Sequence, residues 1–482
     1  MVSVALPAIQ SDLDASLGDM TWVVNAFVLF LASLILIGGS LGDHLGRRRI
    51  FTAGVVLFGV ASLGCALAPN VEALIAARAL KGVGGAMLVP TSLAILSAAF
   101  PKETRGRAVG AWSGFAALTS AGGPVFGGWL VDAFGWPSVF LINLPIAALT
   151  VAMAIAFVPE SRGGDSKAPL DWTGAALAAV GLGLFTFGLV RASEDGADGL
   201  TWAAVFGGLA IFAGFVAWEA RTPHPMAPLS LFRSRTFSGA NLLTLALYSA
   251  LAGALFFVPF VLIQGQGYSA TQAGAAFLPF SLPLGILSGW VGGLMGRFGA
   301  RLPLIIGPVI VAGAFALMTT FAEPRSYWTS WFWAFLMLGA GMTLVVAPLT
   351  TAVLNAVDDA WSGAASGVNN AVARTAQLVA VAAFGALAVL AYGPALRDRL
   401  AAADLPPAAE QALLAQTSSL AETELPAGLS RPQAAEARRA VDAAFFQGFR
   451  AVAAACAALA LLASAIPALM VRDREAAPHR KA

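Results

Sequence analysis

A short polar segment between two apolar stretches combines charged residues with glycines. It reads Gly-Ser-Leu-Gly-Asp-His-Leu-Gly-Arg-Arg-Arg over residues 39–49. Glycines allow two helices to approach closely and allow the chain to reverse sharply. Asp43 can cap the next helix or pair with Arg47 or Arg48, and the arginines can bind the end of another helix. This cluster can therefore close one end of a helical protein and later release it. A plain basic loop would explain the arginines but not the spacing of the glycines and the aspartate.

A second candidate is Arg78, which lies within the apolar segment 74–86 together with Lys81. A cation inside an apolar helix is costly unless it is paired, hydrated or close to an interface. Arg78 is therefore a functional candidate. The alternative is an arginine that only holds two helices together.

A third segment, 121–128, reads Ala-Gly-Gly-Pro-Val-Phe-Gly-Gly. A proline removes a backbone donor and bends a helix, while small residues let a neighbouring helix pack closely. The candidates here are Gly123, Pro124, Gly127 and Gly128. The alternative is a general packing face of small residues.

A binding cavity between membrane helices is mostly apolar and aromatic, with a few polar groups near the middle of the membrane. At helical spacing Asn370, Arg374 and Gln377 share one face of an apolar segment. The other candidates are Trp22, Asn25, Met87, Trp112, Phe115, Phe256 and Phe257. Each of these could instead serve helix packing or anchor a helix at the membrane interface.

The elements that position these residues are membrane spans. Hydrophobic residues make up 58% of the 482 residues and charged residues only 11%, so lipid must surround most of the chain. Apolar stretches predict thirteen spans, at 20–42, 50–69, 71–98, 107–131, 138–158, 172–190, 200–219, 237–263, 272–295, 302–321, 330–354, 363–392 and 442–471. Residues 1–13 resemble the outer end of one more span. Either the start is truncated, or the protein begins here.

Basic residues predict the orientation of these spans. Most Lys and Arg of the short loops fall on the side that holds Arg47, and the opposite short loops hold only Arg191 and Arg325. Positive charge favours the cytoplasm, so this side and the tail 472–482 are predicted to be cytoplasmic. The long loop 393–440 is then an extracytoplasmic polar cap. The segment 296–301, Gly-Arg-Phe-Gly-Ala-Arg, echoes residues 42–49 and suggests duplicated halves.

The three motifs resemble those of the major facilitator superfamily. The loop motif G-x-L-a-D-r-x-G-r-k is matched at Gly39, Leu41, Asp43, Gly46, Arg47 and Arg48, with His44 at a usually basic position. Arg78 matches the arginine of the fourth-span motif, which implies a role in proton transfer, although Lys81 replaces the usual Gln. Residues 119–128 are similar to the fifth-span antiporter motif G-x-x-x-G-P-x-x-G-G, with Thr119 for the first glycine.

Together with the span count, these motifs resemble the fourteen-span drug:proton antiporters of the EmrB/QacA type. The resemblance implies an all-α membrane fold of two six-helix bundles, at 1–158 and 237–471, with a two-span insert within 159–236. It implies proton-driven efflux of cationic or neutral amphipathic drugs by alternating access. The alternative is export of one metabolite, siderophore or amino acid on the same scaffold. The partners implied are protons, a small-molecule substrate and the bilayer of a bacterial inner membrane, for a protein that works as a monomer.

Other classes of protein find no support in the sequence. No nucleotide-binding Gly-Lys motif, no His/Cys metal cluster and no nucleophile constellation is present. The near-neutral charge of +2 does not indicate a nucleic-acid partner. We therefore expect no enzyme, no cofactor and no metal. The sequence also offers no convincing acid in the middle of a span to carry the proton.

Overall fold

The computed structural model describes residues 2–15, 17–163, 171–194, 198–223, 225, 227–268, 270–321, 326–403, 405–416, 425–426 and 429–472, and every regular element among them is helical. The helices in chain order are α1 (Val2–Asp12), α2 (Leu17–Leu45), α3 (Arg47–Ala66), α4 (Val71–Ala99), α5 (Lys102–Phe134), α6 (Ser138–Leu141), α7 (Asn143–Phe157), α8 (Trp172–Glu194), α9 (Gly199–Glu219), α10 (Arg235–Phe260), α11 (Ala270–Ala276), α12 (Leu278–Phe298), α13 (Arg301–Met318), α14 (Trp331–Asn355), α15 (Ser362–Ala401), α16 (Pro407–Leu414) and α17 (Arg431–Met470).

Helices lie at all thirteen predicted spans, which confirms the all-α membrane class. Within the described chain, eleven helical segments are long and apolar enough to cross a membrane. The remaining two predicted spans correspond to α5 and α12, which pack along each other. A Cβ atom on Gly114 of α5 would lie 2.6 Å from the carbonyl oxygen of Gly285 in α12. Close backbone approach of this kind stabilises helix pairs in a membrane.

Two predicted spans are interrupted. The span at 138–158 is divided into α6 and α7, and the span at 272–295 is divided into α11 and α12. In each case a proline, Pro145 or Pro279, lies in the first turn of the second helix. A proline has no N–H to donate, so it fits the first turn of a helix better than its interior.

The two ends of the predicted polar cap are built by helices that continue from the adjacent spans. Both α15 and α17 have 40 residues, which corresponds to about 60 Å at the α-helical rise. The hydrocarbon core of a bilayer is about 30 Å thick, so these helices extend beyond it. The short helix α16 lies between them, whereas residues 404, 417–424, 427–428 and 473–482 lie outside the described residues.

We call α1–α7 the first half of the protein and α10–α17 the second half. Two helix pairs, α2 with α15 and α5 with α12, join the halves along their length. The second half has one continuous apolar core that includes Leu247, Phe315, Phe335 and Phe449.

Helices α8 and α9 form a hairpin that packs against α2 and touches α15. Glycines bring the two helices together, since a Cβ atom on Gly208 would lie 2.8 Å from the carbonyl oxygen of Gly181. Asp198 caps α9 by accepting a hydrogen bond from the Thr201 N–H at 2.8 Å, and it pairs with Arg191 at 3.2 Å. Hydrogen bonds from Thr201 and Arg191 hold the pKa of Asp198 below its ordinary value.

Candidate functional site

The Arg47 end of the protein is closed by four side chains that we call the latch: Asp43, Arg47, Arg105 and Asp359. The first three belong to the first half, and Asp359 precedes α15 in the second half. Arg47 is the first residue of α3 because α2 ends at Leu45 and the chain turns at Gly46, whose φ is 115°. This left-handed conformation favours glycine. The turn places Arg47 back against the end of α2.

Asp43 and Arg47 form a buried ion pair at the centre of the latch. The Arg47 Nε donates to Asp43 Oδ1 at 3.0 Å, and its Nη2 lies 3.0 Å from the same oxygen. Asp43 Oδ2 also accepts a hydrogen bond from the Ala364 backbone N–H at 3.1 Å. The N-terminus of a helix attracts negative charge. Asp43 therefore binds the start of α15 directly.

The two arginines of the latch also reach across to the second half. Both side chains are 1% exposed. Arg47 donates to the carbonyl oxygens of Ala94 and Asp359. Arg105 donates to Ser97 O at 2.7 Å, to Asn355 Oδ1 at 2.9 Å and to Asp359 Oδ1 at 3.0 Å. In the closed state, these charge-assisted hydrogen bonds take the place of the water that would bind the two guanidinium groups if this end opened.

Glycines set the distance between the helices beside the latch. A Cβ atom on Gly363 would lie 2.6 Å from the carbonyl oxygen of Gly39 and 2.6 Å from Asp43 Oδ2. A residue with a side chain at either glycine would therefore separate α2 from α15. The predicted role of the glycines in close helix approach agrees with this geometry.

Arg48 and Arg49 contact Glu160, which follows α7 and was not among the sequence candidates. Glu160 accepts hydrogen bonds from the backbone N–H groups of Arg48 at 3.0 Å and Arg49 at 3.2 Å. It also lies within 3.9 Å of both guanidinium groups. Glu160 thus caps the N-terminus of α3 from a distant part of the chain.

We expect the Glu160→Gln substitution to lower stability modestly without stopping function. The variant loses the charge at the helix N-terminus, and lost caps of this kind cost about 1 kcal/mol. The midpoint of thermal unfolding in detergent should fall by a few degrees. An unchanged midpoint would show that the cap does not contribute to stability.

Arg78 is buried on α4 and faces α2. Its Nε donates to Val23 O at 2.7 Å, its Nη2 donates to Val24 O at 3.3 Å, and its guanidinium lies 4.8 Å from the centre of the Phe27 ring. Lys81 lies one turn further along α4, with its Nζ 4.4 Å from the centre of the Phe58 ring. Neither cation forms an ion pair with a carboxylate among the residues described. Backbone carbonyls and aromatic rings therefore stabilise both charges.

The predicted antiporter motif lies in α5, which continues as a helix from Lys102 to Phe134. Gly123 and Gly127 are buried and Gly128 is half-buried. The side chain of Pro124 lies outside the described residues. Close helix packing at these glycines and their role in antiport stay predictions.

A cavity of about 160 Å³ lies between the halves, next to the latch. Leu93 and Leu354 line it, and the neighbouring residues Ala94 and Asn355 bind the arginines of the latch. Among the described lining residues, those with polar side chains other than Trp112 come from the second half and comprise Tyr248, Thr350, Ser366, Asn369, Asn370, Arg374 and Gln377. The first half contributes Leu93 and the half-buried Trp112. The second half also contributes apolar residues to the lining, namely Val346, Val353, Leu354 and Ala373.

Hydrogen bonds position the polar residues of this cavity. Asn369 Nδ2 donates to Thr244 Oγ1 at 2.8 Å and to Asn241 Oδ1 at 3.2 Å, which joins α15 to α10. Arg374 Nη1 donates to Gln377 Oε1 at 3.3 Å. The sequence placed Asn370, Arg374 and Gln377 on one helical face, and all three line the cavity.

Trp112, which was also predicted, lines the cavity, and the remaining predicted cavity residues lie elsewhere. Trp22 packs against Phe187 of α8, with 5.8 Å between ring centres, and Phe257 is buried in the core of the second half. Met87 of α4 packs against α3, where a Cβ atom on Gly54 would lie 2.8 Å from the Met87 Cβ. Phe115 and Phe256 are exposed, Phe115 to 74%, and Asn25 is half-buried on α2. None of these six residues lines the described cavity.

Several residues of the site were not identified from sequence. Arg105 is one of the basic residues of the short loops that predict the orientation, and no role was predicted for Asp359. Tyr248 and Thr350 resemble ordinary span residues. The sequence offered one signal for Arg105. It lies two residues before a glycine-rich apolar span, as the arginines of the segment 39–49 lie just before the next span. No local pattern marks Asp359 as its partner, since 254 residues separate the two.

The described residues offer no metal centre or disulfide. Among them, no three His, Cys, Asp or Glu side chains come together as a metal site requires. Cys65 and Cys456 are both free and buried. Small-residue packing accounts for both.

Comparison with known proteins identifies the family. The sequence profile of the Major Facilitator Superfamily matches residues 1–381. The Tetracenomycin C resistance and export protein of Streptomyces glaucescens is 30% identical over 478 residues, which cover 98% of this chain and 88% of that protein. The Methylenomycin A resistance protein of Streptomyces coelicolor is 34% identical over 390 residues, covering 80% of this chain and 81% of that protein.

A solved structure supports the same fold. The human organic anion transporter MFSD10 superposes with a TM-score of 0.60 at 15% identity, covering 96% of this chain and 88% of that chain. Identity at this level is evidence for the fold alone. With the matched family profile, the resistance and export proteins and the helical architecture, the chain belongs to the major facilitator superfamily.

Proposed function

We propose that this protein exports small amphipathic drugs or antibiotics from a bacterial cell, with protons moving inward in exchange. The observation that carries the proposal is the position of the latch directly beside the polar cavity. Residues adjacent in sequence, Leu93 with Ala94 and Leu354 with Asn355, contribute to both. Opening the latch would connect the cavity to the Arg47 end. The arrangement supports alternating access, in which one site opens to each side in turn.

The direction of transport depends on the orientation in the membrane. Positive charge in the short loops favours a cytoplasmic Arg47 end. The closed latch then seals the cavity from the cytoplasm, and the C-terminal tail is cytoplasmic too. The hairpin α8–α9 between the halves supports the fourteen-span drug:proton antiporter subgroup.

The relatives support a drug or antibiotic as substrate. Two of them are named for resistance to tetracenomycin C and methylenomycin A. The mixed lining of the cavity fits compounds with an apolar and a polar part.

Expression in a bacterial strain that lacks its own efflux pumps tests this function. Cells that make the protein should accumulate less of a fluorescent or antibiotic substrate than cells with an empty vector. A protonophore should remove the difference, because dissipating the proton gradient removes the driving force. Equal accumulation across a broad panel of compounds, with the protein present in the membrane, would refute the proposal.

Arg78 is the proposed proton-coupling residue. We expect Arg78→Ala to lower proton-driven efflux by about tenfold or more, since a coupling between two sites is commonly of this size. The variant loses the two hydrogen bonds from α4 to Val23 and Val24 of α2. Efflux rates at equal membrane levels measure the effect, and Lys81→Gln serves as the control because the family motif carries Gln there. Full efflux in Arg78→Ala would remove Arg78 from the proton pathway.

A further inference from the structure

The central cavity carries a positive charge within the span region of the protein. Arg374 lies on α15 and lines the cavity together with Tyr248, Asn370 and Gln377. No acidic residue belongs to the described lining. Among the described residues, no ion pair joins Arg374 to a carboxylate. Arg374 therefore faces the cavity without a carboxylate beside it.

The guanidinium also has unused donors. Among the described residues, its hydrogen-bond acceptor is Gln377 Oε1 at 3.3 Å, and an arginine side chain has several further N–H groups in a planar fork. This fork matches the two oxygens of a carboxylate and binds anionic oxygen strongly. A cation inside a membrane protein commonly marks a substrate or ion pathway because its burial is costly.

The volume of the cavity limits which part of a compound it can hold. At about 160 Å³, it is smaller than the roughly 300–1,000 Å³ typical of pockets for drug-sized ligands. In this conformation it can therefore hold a head group and part of a ring. Most hydrogen-bonding residues of the lining belong to the second half, and Trp112 belongs to the first. An acidic group bound at Arg374 would leave its ring system against the indole.

We propose that Arg374 selects substrates with an acidic group, and this proposal rests on the export function proposed above. The acidic group is a carboxylate or an ionised phenol, and it is attached to an aromatic body. An anion gains a charge-assisted pair with Arg374. A cation in the same place meets like charge with no acidic residue in the lining to compensate it. The charge of the cavity thus favours organic acids over the cationic compounds that the family resemblance implies.

Two dyes with the same ring skeleton and opposite charge test the proposal. Fluorescein is an anion at neutral pH, and tetramethylrhodamine methyl ester is a cation. Binding to the purified full-length protein in detergent is measured by fluorescence anisotropy. We expect fluorescein to bind at least about tenfold more tightly than the cation, in line with one strong charge pair.

Variants of Arg374 separate charge from structure. Arg374→Gln should weaken fluorescein binding about tenfold and leave binding of the cation equal or stronger, whereas Arg374→Lys should retain much of the fluorescein affinity. Arg450→Gln is the matched control, since Arg450 is half-buried on α17 and donates to Thr319 O at 2.7 Å away from the cavity. Equal unfolding midpoints confirm that all variants are folded. Equal binding of the two dyes to the wild type, or fluorescein binding unchanged in Arg374→Gln, would overturn the proposal.

The binding assay distinguishes this proposal from the export function. Binding of fluorescein that depends on Arg374, without efflux of any compound, would refute export and leave the charge selection intact. Efflux of cationic dyes that is unaffected by Arg374→Gln would refute the charge selection and leave export intact.

Discussion

Replacing Asp43 by Asn should open the Arg47 end of the protein and abolish export. The substitution removes the charge that pairs with Arg47 at 3.0 Å and weakens the bond to the Ala364 N–H. Arg47 is 1% exposed in the closed state, so it would remain buried without its partner. Removing one member of a buried pair costs about 3–5 kcal/mol. Opening this end allows water to reach the guanidinium and avoids that cost.

A penalty of this size is large enough to change the dominant conformation. Reversing a two-state population from 1:99 to 99:1 takes about 5.5 kcal/mol. We therefore expect Asp43→Asn to convert a mainly closed latch into a mainly open one. Spin labels at the exposed positions Thr104, on α5 of the first half, and Arg233, two residues before α10 of the second half, report the change. The distance between them should increase by several ångströms in the variant.

A neighbouring acid and a double variant provide the controls for this result. Asp358→Asn removes an exposed carboxylate beside Asp359, and it should leave the label distance and efflux unchanged. The double variant Asp43→Asn with Arg47→Gln should recover part of the closed population, because it also removes the uncompensated buried charge. A closed latch and normal efflux in Asp43→Asn would show that the ion pair does not hold the end closed.

The substitution Gly363→Val should open the same end by steric means while it keeps every charge. The new side chain would meet the Gly39 carbonyl oxygen and Asp43 Oδ2, each 2.6 Å from its Cβ position. Real Cβ atoms do not approach other heavy atoms so closely, so α2 and α15 must separate. Overpacking of this kind costs about 1–3 kcal/mol. We expect a longer label distance and a loss of most of the efflux.

A second glycine of the same helix gives a matched control. A Cβ atom on Gly385 of α15 would meet nothing within 4 Å, so Gly385→Val should leave efflux and the label distance as in the wild type. If Gly363→Val and Gly385→Val behave alike, close approach of α2 and α15 is not what closes the latch. If Asp43→Asn and Gly363→Val both open the latch, the closed end requires both the charge of Asp43 and the close approach of α2 and α15.

The spans were predictable because the bilayer fixes both their length and their composition. About 20 apolar residues are needed to cross, and the sequence shows such a stretch at each of the thirteen predicted spans, all of which contain helix. The breaks before α7 and α12 were harder to predict. Pro145 and Pro279 occur in apolar sequence that continues on both sides, and only the packing decides whether a proline bends a helix or begins a new one.

The candidate site was predicted in part. The loop residues Asp43 and Arg47 were identified because charge and glycine occur together there within a few positions. Asn370 and Arg374 were identified because helical spacing places them on one face. Trp22 and Phe257 have the side chains that a cavity needs, yet one packs against α8 and the other lies in the core. Residue type alone does not separate these environments.

The sequence by itself determined that this protein is a multispan helical membrane protein, which of its loops are basic, and that Asp43 and Arg47 lie within one turn of each other. Those properties depend on composition and on neighbours along the chain. Only the tertiary structure decided that Arg105 meets Asp359, that Asp43 binds the start of α15, and that Arg374 lines the cavity. Contacts between residues hundreds of positions apart depend on how helices pack, and packing is set by the shapes of many side chains at once.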